Sequence, residues 1–181
     1  MRVLLDACIL YPTVLREVLV GVAQEGGFEP LYSERLLAEW IHAAARAGPQ
    51  VETTARAEAA LFRAAFPQGC ILPPPGAEEC LSLPDPGDLH VLAAAIEGQA
   101  EAIATVNLKD FPTRTLGRHG MVVRTPDSLL LELLQGGMDE VARVTERVRA
   151  KTQAISGQAQ DLRRLLKRAG LPRLGKAVAR A

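Results

Sequence analysis

Apolar positions along the chain fall into two alternating rhythms. Residues 1–6 (MRVLLD), 102–106 (AIATV) and 121–124 (MVVR) are short, nearly continuous apolar runs, the pattern of strands buried on both faces. Between them, residues 14–23, 54–66, 89–97 and the stretch after Pro126 repeat their apolar positions at helical spacing. Ser33 stands before ERLLAEWIHAAARAG as an N-cap, with Gly48 and Pro49 as the stop signal of that helix. Pro67 ends the alanine-rich helix over 54–66, and Gly98 ends the one over 89–97. Residues 70–72 read as a further short strand running into Pro73, Pro74 and Pro75. Strand and helix alternate up to about Gly136, which predicts an α/β fold with a parallel sheet flanked by helices. After Gly137 only helical spacing remains, with breaks expected at Gly157, at Gly170, Leu171 and Pro172, and at Gly175. Two segments follow: an α/β domain over 1–136 and a helical extension over 137–181.

The 181 residues suffice for one well-buried core and a small appendage, and the low aromatic content (4%) excludes an all-β reading more firmly than an all-α one. No apolar run reaches the ~20 residues of a membrane span and the first strand begins at Met1 without a charged leader, so a cytoplasmic protein is expected. Cys8, Cys70 and Cys80 are odd in number and widely spaced, which argues for reduced thiols and against a disulfide framework or zinc site. A net charge of zero conceals a division: residues 1–140 hold 10 Lys and Arg against 19 Asp and Glu, whereas 141–181 hold 11 against 2. Such a basic tail either meets a polyanion or an acidic partner, or is solvated and docks on its own acidic body.

The acids give the α/β region its candidate chemistry. Open parallel sheets bind ligands beyond the carboxyl ends of their strands. Asp6 closes the first strand, Asp88 opens the helix that feeds the 102–106 strand, and Asn107 and Asp110 follow that strand. Glu39 lies about 60° beyond the edge of the apolar face formed by Leu36, Leu37, Trp40, Ile41 and Ala44, a boundary from which a carboxylate can reach a rim. Each acid also has a plainer role open to it: Asp6 as a turn cap, Asp85 in the Pro86, Gly87 turn, Asp88 as a helix N-cap, and Glu39 as a solvated side chain. If the carboxylates converge, repulsion raises some of their pKa values unless a cation neutralises them. All-oxygen donors suit Mg²⁺ or Mn²⁺, ions able to bind a phosphate oxygen, activate water and align an in-line displacement.

The segments LLDA (4–7), SERLLAE (33–39), DPGDLHVLAAA (85–95) and ATVNLKDFP (104–112) resemble the PIN-domain ribonucleases, with the nearest likeness to VapC-type toxins of toxin–antitoxin pairs. The resemblance covers residues 1–135 and implies a Rossmann-like PIN domain that cleaves single-stranded RNA with a divalent metal. Carried across residue by residue, it places the family's acids on Asp6, Glu39 and Asp88, with Asp85 as a nearby secondary acid. A fourth acid falls on Asn107, a departure that offers a neutral oxygen and leaves Asp110 as a source of the missing charge. Ala7 and Cys8 also replace the hydroxyl-bearing residue that often follows the first acid. The resemblance further implies RNA as substrate, products with a 5′-phosphate and a 3′-hydroxyl, a small antitoxin partner and a homodimer.

Two rivals share parts of this pattern. A haloacid-dehalogenase-like phosphatase also starts from an aspartate after its first strand, but requires a second aspartate where this chain has Cys8. A catalytically weak PIN-like binding module is consistent with Asn107. No glycine-rich phosphate loop follows the first strand, which disfavours a nucleotide-binding module. His42, His90 and His119 read as structural or surface histidines, Trp40 and Phe111 as core, Tyr11 as packing or a stack on a base, and Lys109 as a phosphate contact or a neutraliser of the local acids.

Overall fold

A computed structural model describes residues 1–179. In chain order its main elements are β1 (Arg2–Leu5), α1 (Ala7–Leu10), α2 (Thr13–Gln24), β2 (Glu29–Leu31), α3 (Glu34–Ala45) and α4 (Pro49–Ala65). They continue with α5 (Leu89–Glu97), β3 (Ala102–Ala104), α6 (Thr113–Gly117), β4 (Val122–Arg124), α7 (Pro126–Gln135), α8 (Glu140–Ser156), α9 (Leu162–Arg168) and α10 (Pro172–Val178). Contacts divide the chain into two compact units, one of Met1–Tyr11 with Phe28–Arg124 and one of Pro12–Gly27 with Thr125–Ala181. The last two positions of the expected extension, Arg180 and Ala181, lie outside the described residues.

The first unit is built on a parallel four-stranded sheet in the order β2-β1-β3-β4, flanked by helices. From β1 the chain first adds β2 on one side and later β3 on the other, so the connections diverge between β1 and β3. That divergence puts a topological switch point at the carboxyl ends of the two central strands, the place where open α/β sheets bind ligands. Val3, Leu4 and Leu5 are all fully buried, which explains the unbroken apolar run in β1. Leu4, Leu31 and Ile103 from three strands pack with Leu36, Val91, Leu92 and Phe111 in one apolar cluster. Trp40 and Phe111 are core residues, as their sequence context suggests.

β2 has no counterpart in the sequence pattern, because Pro30 breaks the strand signature. Pro30 is accommodated because β2 lies at one end of the four-stranded order, where a missing ladder donor is tolerated. The strand expected over 70–72 is reduced to a single parallel bridge between Tyr32 and Cys70. The three prolines that follow have no amide hydrogen with which to extend it. At Gly69 the backbones approach so closely that a Cβ would stand 2.2 Å from the Pro30 carbonyl oxygen, and only glycine fits. Pro49 is not only the end of the α3 signal but the first residue of α4, which therefore starts before the expected position 54.

In the second unit α8 packs on α2, and α9 and α10 pack on one another. Gly157 (φ 67°) and Gly170 (φ 80°) end helices in left-handed conformation, as expected of helix-terminating glycines. The break expected at Gly175 is absent: Gly175 lies inside α10, where a Cβ would come within 3.2 Å of Leu166 Cβ and 3.3 Å of the Arg163 carbonyl oxygen. Its role is close helix packing. The N-terminus of α10 is held by buried Asp127, whose two carboxylate oxygens accept the Arg173 N–H (3.0 Å) and the Leu174 N–H (2.9 Å). No helix among the described residues is long and apolar enough to cross a membrane.

Candidate active site at the carboxyl ends of β1 and β3

Asp6 follows β1 directly and is 6% exposed. Its backbone N–H continues the ladder by donating to the Ala104 carbonyl at 3.1 Å, which fixes the direction of its side chain. The Thr105 hydroxyl donates to Asp6 Oδ2 at 2.6 Å and the Cys8 thiol donates to the same oxygen at 2.9 Å. Asp6 also accepts the Cys8 N–H as N-cap of α1, so capping and site geometry share one carboxylate. Burial, reinforced by the Asp6 charge, pushes the Cys8 thiol up to about 12; it remains a proton donor to Asp6 and is unsuited to act as a thiolate nucleophile.

Thr105 is the residue that motif reading passed over. It is completely buried, and its hydroxyl accepts the Asn107 N–H at 2.9 Å while donating to Asp6. This local turn draws the chain out of the sheet, so that β3 ends at Ala104 rather than at the expected 106, and delivers Asn107 to the exposed rim. The available signal was a threonine ending an apolar strand two residues before Asn107, opposite a carboxylate in the neighbouring strand.

The two aspartates of LPDPGDLH separate in role. Asp85 is exposed and accepts the Gly87 N–H at 2.8 Å, which makes it turn punctuation. Asp88 occupies the N-cap position of α5 without making a side-chain cap hydrogen bond. Burial, followed by the charges of Asp6, Asp85 and Asp110, raises its pKa to about 6. Glu39 is raised as well, first by burial and then by Asp6 and Asp88, against the opposing pull of Arg35. Asp6, Glu39 and Asp88 therefore lie within electrostatic reach of one another, and Asp110 within reach of Asp88, although they come from four separate segments. Asn107 and Lys109 are exposed beside them in sequence, and His42 and His119 are exposed elsewhere.

His90, on the first turn of α5, is buried (4% exposed) with Nε2 2.9 Å from Glu39 Oε1. Despite that proximity neither ring nitrogen makes a well-aligned hydrogen bond. Burial, and then the Arg35 charge, lower its pKa to about 4, so it is neutral at pH 7. It abuts the Glu39 carboxylate without balancing its charge. Arg35 does so in part, 3.6 Å from Glu39 and 3.1 Å from Glu78.

Among the described residues, no group of three or more His, Cys, Asp or Glu side chains is set at metal-ligating distance. The acids share one electrostatic environment without enclosing a single point. Such an open set of oxygens fits Mg²⁺ better than a closed protein cage would, because Mg²⁺ keeps several waters and takes one or two carboxylates directly. Because Asp88 keeps its proton in the folded chain at a pH where the unfolded chain has released it, its contribution to stability is full below about pH 4 and is lost as pH rises through about 6. In EDTA the melting temperature of the wild type should therefore fall over this window relative to that of Asp88→Asn. Saturating Mn²⁺ should remove the difference in slope. Parallel pH profiles of the two proteins in EDTA would mean that the Asp88 carboxyl is not strained by its neighbours.

A family model described as PIN domain matches residues 2–109, more than half of the chain, with every strand except β4 and every candidate site acid except Asp110. The chain belongs to the PIN-domain family. A curated relative from Mycobacterium tuberculosis, named "Putative ribonuclease VapC50", is 47% identical over 47 residues, which are 26% of this chain and 28% of the relative. The match thus spans little more than a quarter of that relative's length. No solved structure matches the chain. PIN-domain membership together with this relative supports a nuclease. Of the three cysteines, Cys8 is half-buried beside Asp6 and Cys70 and Cys80 are exposed.

Proposed function

We propose that this PIN-domain protein is a divalent-metal-dependent endoribonuclease that cuts single-stranded RNA, acting in the cytoplasm as the toxin of a type II toxin–antitoxin pair. The observation that carries the nuclease reading is the gathering of Asp6, Glu39 and Asp88 in one electrostatic environment at the switch point of the sheet, where Asp88 is driven up to about 6. The relative named as a ribonuclease supports RNA as substrate, and the toxin role, a small antitoxin partner and a homodimer belong to the same reading.

Asp6, Glu39 and Asp88 would hold Mg²⁺ or Mn²⁺ directly or through water, with Asn107 and Asp110 completing the shell. When bound, the ion supplies Lewis-acid stabilisation of the charge that builds on the phosphate oxygens during displacement. The chain's own contribution is orientation. Thr105 and Cys8 hold Asp6 in one rotamer, so no rotamer search accompanies each binding event. Asn107, on the exposed turn set by Thr105, presents a neutral amide at the rim, able to orient a water or a phosphate oxygen without adding to the repulsion. Neutral His90 sits against Glu39 without balancing its charge.

The test is cleavage of end-labelled single-stranded RNA by the purified chain. Cutting is expected with Mg²⁺ or Mn²⁺, to stop with EDTA, and to leave a 5′-phosphate and a 3′-hydroxyl. Products ending in a 2′,3′-cyclic phosphate would overturn the metal route. Binding without cutting under either ion would favour a catalytically weak PIN-like binding module, the reading to which Asn107 lends support.

A further inference from the structure

The basic C-terminal segment does not present its charge evenly. On α8, Arg147 is paired with Glu25 (3.0 Å), Lys151 with Glu17 (2.7 Å), Arg149 with Glu146 (2.6 Å), and Arg143 with Glu140. These ion pairs account for the tail's cations up to residue 151 and tie them within the second unit. The remaining described cations are Arg163, Arg164, Lys167 and Arg168 on α9 and Arg173 and Lys176 on α10, all exposed. Among the described residues none of the six has a carboxylate partner, and Arg168 alone among them makes a side-chain hydrogen bond, to Gln160 Oε1 at 2.9 Å. Residues 162–179 contain no acid. Asp161 and Asp127 are engaged at the N-termini of these helices: Asp161 accepts the Arg164 N–H and Asp127 the Arg173 and Leu174 N–H groups.

We infer that the α9–α10 pair is a phosphate-backbone docking surface that holds single-stranded RNA without reading its sequence. The inference rests on the ribonuclease reading for its choice of polyanion. Its physical basis is separate: six unpaired cations on two short helices packed together. Leu165, Leu166, Leu171 and Leu174 are buried, Leu162 and Val178 are half-buried so that no large apolar side chain of the pair is fully exposed, and no aromatic residue occurs over 162–179. A protein interface draws its affinity from apolar and aromatic anchors, and an interfacial membrane helix needs an exposed apolar face. This surface has neither and offers charge alone, which is what a phosphate backbone requires. The close packing at Gly175 holds the two helices together and Asp127 ties the start of α10 to α7, so the cations are displayed from a fixed base.

The experiment is fluorescence anisotropy of the full chain with a labelled single-stranded RNA across a salt series, in EDTA so that cleavage does not intrude. For single strands the slope of log affinity against log salt is about 0.7 per neutralised phosphate. The Arg163→Gln, Arg164→Gln, Lys167→Gln triple variant should therefore lower the slope by about 2 and weaken binding at 0.1 M salt by about 100-fold. An Arg173→Gln, Lys176→Gln variant should lower the slope by roughly 1.4. An Arg147→Gln, Lys151→Gln control, which removes cations already paired with glutamates, should leave the slope near that of the wild type. Unchanged slopes in the two α9–α10 variants, or an equal loss in the control, would overturn the inference. So would equally tight binding of polyglutamate to the wild type, which would mark an acidic protein as the partner, or binding to anionic vesicles in preference to RNA. Cleavage measured in parallel with Mn²⁺ separates the two readings. Intact cleavage with unaltered slopes refutes this surface alone, whereas a normal patch effect with no cleavage by the wild type refutes the nuclease.

Discussion

Asp6→Asn is expected to reduce RNA cleavage by on the order of 10²–10³-fold while leaving the fold intact. Asp6 is the most buried of the candidate acids, and its carboxylate is anchored by Thr105 at 2.6 Å and Cys8 at 2.9 Å. Asparagine keeps the shape and one acceptor oxygen but removes the charge that would attract a cation at the switch point between β1 and β3. It also removes a charge that helps raise Glu39 and Asp88, so the variant should be no less stable than the wild type in EDTA. Cleavage rates with Mn²⁺, alongside melting curves in EDTA, check both halves. A variant that cuts RNA at the wild-type rate would remove Asp6, and with it the whole site, from consideration.

Thr105→Val should have the next largest effect, and of a different kind. Valine preserves the volume and branching of the side chain but deletes the hydroxyl that donates to Asp6 and accepts the Asn107 N–H. The amide of Asn107 then loses its acceptor and the Asp6 carboxylate loses its shortest hydrogen bond. A stability loss of about 1–3 kcal/mol is expected from such a buried, broken pair. Cleavage should fall roughly 10–100-fold, as when a partner that orients a metal ligand is removed. The loss should lie chiefly in a higher Mn²⁺ concentration for half-maximal rate, and Thr105→Ser should restore most of it. A drop in melting temperature with an unchanged metal requirement would confine Thr105 to a structural role.

The strands and helices that carry the site were legible because their signals are local. A continuous apolar run identifies β1, a serine before an amphipathic run identifies α3, and Thr125 and Pro126 identify the start of α7. β2 was not legible, since Pro30 contradicts strand propensity and is tolerated only because the strand lies at one end of the sheet, a tertiary circumstance. The missing break at Gly175 has the same origin: a glycine signals flexibility in isolation and close packing once another helix lies against it.

The acids divide along the same line. Their positions after strands and before helices follow from sequence order, and so does the family to which residues 2–109 belong. Sequence order also contains the charge asymmetry of the C-terminal segment. What required three dimensions was the assignment of each polar group to a partner. Asp85 was given to a turn and Asp88 left uncapped, Thr105 was joined to Asp6 across 99 residues, and the cations of α8 were neutralised while those of α9 and α10 were not. The physical reason is that secondary structure is selected by interactions within a few residues. Charge balance and hydrogen-bond satisfaction depend on atoms that only the folded chain brings together.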